Sequence, residues 1–417
     1  MAYFLLLGAL AVHGVAAIAL PTRTLTNGSN TAYDLPLTWN PAGFVSTALV
    51  GTPPQELPVF VDWTWINFYA LTTTCYGKPN TQTSCLNPSQ QFFNETASRT
   101  FRYRKDLYPS RTWNPNHFYF DNNLSVDHAN DIVTIGPSTA EVLLQASDTT
   151  FDMSSLTFPF AGVYGLSPVF SSDNASTSSP IYQAWKKGAW PSPLTGFHYC
   201  YEGSPDKAKA TCGGHDGIQT LGGVKSSIIK DSKVYWYRNK VFPDVNRLDF
   251  IYEPGLYNYW GIELESLWIG DERQDITKTT NNSGPAAIFD HASYGRGMPL
   301  SPQAYERLVQ ITGAVPAGPI ASAPNNGEQP FYKVACSRVP QLPSVKYRFV
   351  GHTKVWSVEA RHYVEKAQGD GDVCLLDVRT LATGREFIGN FGETFAKDKY
   401  VVFDFEKLAV GIADVQW

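Results

Sequence analysis

The chain repeats one unusual arrangement at a long interval, and this repeat limits its architecture more than any other feature. Val59-Phe60-Val61-Asp62 reads as an apolar strand that ends in an acid, and Ala287-Ile288-Phe289-Asp290 does the same. Downstream of each comes an apolar pair closed by glycine, Val163-Tyr164-Gly165 and Phe387-Ile388-Gly389. Gly165 lies 103 residues after Asp62, and Gly389 lies 99 after Asp290. A single acid at a strand end is ordinarily a turn residue. Two at matched pitch imply two lobes of similar construction, each presenting one carboxylate.

The length of 417 residues accommodates two such lobes. Strand signals dominate: Val45–Val50, Val59–Val61, Asp131–Ile135, Lys233–Tyr237, Val345–Val350 and Tyr400–Phe405 are short β-branched or aromatic runs bounded by turn residues. Gln303–Thr312 and Ile181–Lys187 are the best helical stretches. The class is therefore mostly β with sparse short helices. Aromatics make up 14% of the chain, which suits a large β core and excludes disorder. With 33 Lys+Arg against 38 Asp+Glu, the net charge of −5 excludes a basic nucleic-acid binder.

The apolar run Tyr3 to Val12, followed by Ala17-Ile18-Ala19, predicts a signal peptide over residues 1–19. That run is too short to span a bilayer comfortably, and neither a later apolar span nor a hydrophobic tail follows, so a secreted protein without a membrane span is expected. Asn27, Asn94, Asn123, Asn174 and Asn281 each begin a glycosylation triplet without proline. All six cysteines lie downstream of residue 19, an even count in an oxidising compartment. Proximity pairs Cys75 with Cys85, Cys200 with Cys212, and Cys336 with Cys374. Neither C-x-x-C nor H-x-x-x-H occurs, so neither a metal nor another cofactor is expected. Gly165-Leu166-Ser167-Pro168-Val169 lacks the closing glycine of a nucleophile elbow. Gly213-Gly214-His215-Asp216-Gly217 reads as a surface turn, and Asp370-Gly371-Asp372 as a hairpin tip before Cys374.

Several pieces, in order, resemble the pepsin-like aspartic peptidases (peptidase family A1). Gly51-Thr52-Pro53-Pro54-Gln55 followed by Val59 to Asp62 is similar to the entry into that family's first catalytic loop. Phe160 to Leu166 resembles the strand that braces this loop, and Gly217 to Val224 the start of the second lobe. Tyr259-Trp260-Gly261-Ile262 and Trp268-Ile269-Gly270 resemble the approach to the second acid. The stretch Cys336 to Cys374 is similar to the last disulfide loop, and Phe387-Ile388-Gly389 through Val410-Gly411-Ile412-Ala413 to the C-terminal signature. The resemblance implies a bilobal β fold around a central cleft, with residues 20–43 as an extension, 44–200 as the N-terminal lobe and 201–417 as the C-terminal lobe. It implies a monomer that receives a peptide or protein in the cleft. Asp62 and Asp290 would be the catalytic pair, two carboxylates too close for both to ionise cheaply. Counting back from Asp131-Ile132-Val133 places the tyrosine of the flap over the cleft at Tyr119, although Phe120 and Asn122 stand where the family has glycine.

The sequence departs from the family at the acids themselves. Where the family has Asp-Thr-Gly followed by Ser or Thr, this chain has Asp62-Trp63-Thr64-Trp65 and Asp290-His291-Ala292-Ser293. The family's threonines hydrogen-bond across the lobe interface, whereas Trp63 has only an indole donor and His291 a different reach. Thr64 and Ala292 add a Cβ where glycine lets the backbone pass. The hydroxyl that orients the outer carboxylate oxygen is kept at Ser293 and replaced at Trp65. Between Leu20 and Phe44 only Arg23 is basic, too little for the family's usual cleft-blocking propeptide. The altered motifs lead us to expect a secreted peptide-binding homologue with impaired or absent catalysis. An endopeptidase working at acid pH through Asp62 and Asp290 is the alternative.

Overall fold

A computed structural model describes residues 23–24, 32–40, 43–65, 67–77, 83–86, 89–107, 110–113, 124–149, 152–153, 156–157, 160–168, 178–200, 208–240, 259–276, 284–290, 298–317, 332–367, 371–378 and 387–416. Strands form where the sequence alternates. In Leu124–Ile135 residues alternate between fully and partly buried along most of the strand, as a sheet covered more heavily on one face requires. It pairs antiparallel with Ser138–Ser147 from Ile135↔Ser138 outward, across a two-residue turn.

These strands join a 15-stranded sheet that makes two different parts of the molecule. One part runs from Gly43–Val50 through Gln55–Asp62, Gly162–Gly165, Phe68–Leu71, Ser138–Ser147 and Leu124–Ile135, and builds the first lobe. The other part gathers Tyr33–Asn40, Gly217–Leu221, Leu194–Tyr199, Lys399–Asp404, Ala409–Asp414 and Lys233–Arg238, drawn from the beginning, middle and end of the chain. It forms a floor beneath both lobes. The second lobe is a separate six-stranded sheet that includes Val345–Phe349, Trp260–Ile269, Ala286–Phe289 and Phe387–Phe391. Together these make a bilobal pepsin-like β fold. A four-stranded sheet beside it carries the Cys336–Cys374 disulfide, and Gly371-Asp372 forms a turn ahead of Val373–Leu376.

Each acid-ended strand has a parallel neighbour. Gly162–Gly165 lies along Gln55–Asp62 with Gly165 opposite Asp62, and Phe387–Phe391 lies along Ala286–Phe289. The duplication is therefore structural, but its registers differ. Gly389 faces Ala287, and a register shift between Ala286 and Ala287 brings Phe391 opposite Phe289. The similar pitch in sequence does not place the two glycines equally against the acids.

Few helices form, and each has a local cause. Ser179 and Ser301 cap the helices Pro180–Lys186 and Pro302–Thr312, accepting from Tyr182 N and Ala304 N, with proline in the first turn. The three disulfides join Cys75 to Cys85, Cys200 to Cys212, and Cys336 to Cys374.

Candidate functional site

The first acid strand, Gln55–Asp62, is buried along its last four residues and carries Asp62 to an interior position with 9% of its surface exposed. Burial pushes the Asp62 carboxyl above the ordinary carboxylate range, because the charged form is poorly solvated there. Hydrogen bonds pull the other way. Asp62 Oδ1 accepts from Thr64 N at 2.7 Å, Thr64 Oγ1 at 2.8 Å and Trp65 N at 3.1 Å. A hydroxyl therefore does orient this carboxylate. It comes from Thr64 and not from the next residue, where the family has serine.

Trp65 uses its side chain elsewhere. Its indole donates to Gln145 Oε1 at 3.2 Å and packs edge-on against Tyr69, within the first lobe. The loop is held from outside by the neighbouring strand: Gly165 N donates to Asn67 O, Leu166 N to Asp62 O and Ser167 N to Trp65 O, at 2.8–3.1 Å. A Cβ at residue 165 would lie 2.2 Å from Trp65 O and 2.4 Å from Asn67 O, so only glycine fits.

Asp290 follows Ala286–Phe289 and is half-buried. Its N–H donates to Phe391 O at 3.0 Å, and its Oδ2 accepts from Asn390 Nδ2 at 2.8 Å. Asp62 and Asp290 both lie near Tyr259. Tyr259 is buried, which raises its phenol well above the usual range, and the charges of Asp290 and Asp62 raise it further. Both carboxylates thus lie within electrostatic reach of one phenol. Trp63, next to Asp62, packs on Phe289, next to Asp290, with ring centroids 6.4 Å apart.

Trp63 stands where the family has threonine, and the structure shows what it does instead. It is completely buried and meets Phe197 at 5.3 Å and Phe403 at 5.2 Å, both edge-on, with Tyr199 stacked at 6.2 Å. Trp260 adds a polar link from the second lobe: its indole donates to Leu166 O at 2.7 Å while its ring stacks on Phe403 at 4.8 Å. The lobes therefore meet on an aromatic wedge over the floor.

His291, Ala292, Ser293 and Tyr119 lie outside the described residues, as do Asn27, Asn123, Asn174 and Asn281. Asn94 is exposed; its Oδ1 accepts from Ala97 N and from Thr96 Oγ1, the hydroxyl of its own triplet. Among the described residues, one set of metal-ligating atoms gathers, at His198, Cys200 and Cys212. Both sulfurs are joined in a disulfide and offer no thiolate. No helix among the described residues is long and apolar enough to cross a membrane. Asn390 and Tyr259 did not stand out as site residues in the sequence. The only signals were that Asn390 directly follows the Gly389 of the duplicated run and that Tyr259 directly precedes Trp260.

With this geometry in place, known proteins give the family. A model of the family described as eukaryotic aspartyl protease matches residues 43–415. The chain belongs to the eukaryotic aspartyl proteases. It is 51% identical over 411 residues to the aspartic protease-like protein pytH of Aspergillus terreus, covering 96% of each chain. It is 29% identical over 435 residues to the secreted aspartic protease FUS4 of Gibberella moniliformis, covering 98% of this chain and 96% of that one. Human gastricsin is 23% identical over 390 residues, with 91% of this chain and 84% of gastricsin covered.

Proposed function

We propose that this protein is secreted after loss of residues 1–19, acts as a monomer, and takes a peptide into the cleft between lobes of residues 44–200 and 201–417. There it cleaves the peptide at acid pH, with reduced efficiency, through Asp62 and Asp290. The ionised member of the pair takes a proton from water, whose oxygen attacks the scissile carbonyl carbon. The protonated member gives its proton to the carbonyl oxygen. Collapse of the resulting diol breaks the C–N bond as the newly ionised member takes a diol hydroxyl proton and the newly protonated member gives its proton to the leaving amine.

The observation that carries this reading is the set of three loop donors on Asp62 Oδ1, including the Thr64 hydroxyl, which supports a fixed carboxylate despite the altered motif. Reduced efficiency follows from Trp63. Aromatic packing sets the spacing of the lobes but lacks the directionality of crossed hydrogen bonds, and small misplacements at reacting groups are costly. The same wedge supports a second reading, a protein that grips a peptide without cutting it.

The test uses purified protein and a mixed peptide pool from about pH 2 to 7, bracketing the ionisations of such a pair. Acid cleavage that disappears in Asp62→Asn and Asp290→Asn establishes the first reading. If wild type is inert yet retains peptide, and the combined Trp63→Thr, Thr64→Gly, Trp65→Ser, His291→Thr, Ala292→Gly and Ser293→Thr variant cuts, the second reading holds.

A further inference from the structure

Each carboxylate has an identified donor among the described residues. Asp62 is oriented from within its own loop, by Thr64 and Trp65. Asp290 receives a side-chain donor from another strand, Asn390 Nδ2 at 2.8 Å from its Oδ2, across 100 residues of chain. We infer that Asn390 is a positioning residue of the second carboxylate, and that its amide helps set the lower end of the pH range in which the pair works. This inference rests on the reading of Asp290 as one of the catalytic pair.

Asn390 sits between two closely packed neighbours. On one side Gly389 has φ +139, and a Cβ there would come within 2.7 Å of Pro299. On the other side Phe391 is fully buried, stacked on Phe289 at 5.6 Å and edge-on to Tyr347 at 4.8 Å. The Phe391 carbonyl also accepts the Asp290 N–H, so backbone and side chain fix the acid from the same strand. An ionised carboxylate only accepts, so the amide presents its N–H₂ to it and favours the charged form.

Other titratable groups lie around Asp290 among the described residues. Asp62 is a like charge and opposes ionisation, while Tyr259 is held neutral by burial. His291 follows directly in the chain and lies outside the described residues. On the strand alongside, Glu263 faces the far end of Ala286–Phe289 and binds Lys240 Nζ and Gly284 N. Beyond Asn390, Glu393 accepts from the Trp39 indole.

Two substitutions separate positioning from mere support. Asn390→Leu keeps the branched shape and removes the donor. It lowers kcat about tenfold, as expected for the loss of a bond to a charged group, leaves KM within about twofold, and moves the acid limb of the kcat/KM profile up by about one pH unit. Asn390→Asp can donate only while protonated, so it stays near wild type at the lowest pH and fails as pH rises. A direct readout needs no catalysis: carboxyl NMR titration of carbon-13 aspartate-labelled protein, with Asp290→Asn identifying the resonance. The Asp290 midpoint rises in Asn390→Leu. Wild type that cuts nothing at any pH defeats the reading of function and leaves the titration to decide this one. An Asp290 titration unchanged in both Asn390 variants overturns the inference, whatever the activity.

Discussion

Replacing Trp63 with leucine removes the centre of the aromatic wedge while keeping an apolar side chain there. The indole is completely buried against Phe197, Tyr199, Phe289 and Phe403, with centroids 5.2–6.4 Å away. Truncating a buried tryptophan to alanine costs about 3–5 kcal/mol. Leucine recovers part of that volume, so Trp63→Leu should cost about 2–4 kcal/mol. Trp63→Thr should cost more, because its hydroxyl would replace the indole among aromatic rings, and a buried donor without a partner adds about 1–3 kcal/mol. The term that joins the lobes is isolated by a double-mutant cycle with Phe289→Leu. A coupling of about 0.5–1.5 kcal/mol is expected for one aromatic pair. Urea unfolding followed by circular dichroism and fluorescence measures all four proteins. A loss under about 0.5 kcal/mol for Trp63→Leu means that the wedge does not hold the lobes, since surface substitutions have effects of that size. Coupling below about 0.3 kcal/mol, the scatter of independent sites, removes Phe289 from the account.

Thr64→Val keeps the shape of Thr64 and its backbone donor but deletes the hydroxyl on Asp62. Cleavage should fall about 10- to 100-fold, the size of a lost hydrogen bond to a charged group, with the alkaline limb of the pH profile displaced upward because burial of Asp62, the member that keeps its proton, is then less opposed. His198 and His362 are pushed down to about 4, in both cases chiefly by burial. The unfolded chain takes up these protons near pH 6.5 while the folded one refuses them, so each histidine contributes about 3 kcal/mol above that pH that is lost as pH falls to about 4. Urea midpoints measured from pH 7 to 4 should decline across that window, and His362→Gln should flatten the decline; a flat wild-type profile contradicts the assignment. Opening the Cys336–Cys374 bridge with paired serines frees two residues 38 apart. The expected loss is about 4 kcal/mol, read as a lower denaturation midpoint without a change of fold.

Much of the architecture was legible in short stretches of sequence. The β-branched and aromatic runs at Asp131, Val345 and Tyr400 all lie within observed strands or overlap them closely, because such runs are a local property. The helix predicted over Gln303–Thr312 gains only Pro302, where Ser301 supplies the cap. Strand starts were harder to read: Val59 to Val61 belongs to a strand that opens at Gln55, whose polar first residues are held by pairing with Gly43–Val50 and not by their own pattern. At the candidate site, Asp62 and Asp290 and the altered residues beside Asp62 were visible as types. What they do was not. The sequence showed that serine had been lost at Trp65, but not that Thr64 would turn its hydroxyl onto Asp62.

By itself, the sequence determined the strand-rich class, the pairing of neighbouring cysteines, and a twofold plan with one acid per lobe. Each is written in spacings of a few residues or in a repeated motif. Only the tertiary structure decided that Trp63 becomes a wedge between the lobes, that Trp260 reaches Leu166, and that Asn390 holds Asp290. Those contacts join residues about 100 or more positions apart. Their distances depend on how the sheets pack, and no local pattern in the chain encodes that packing.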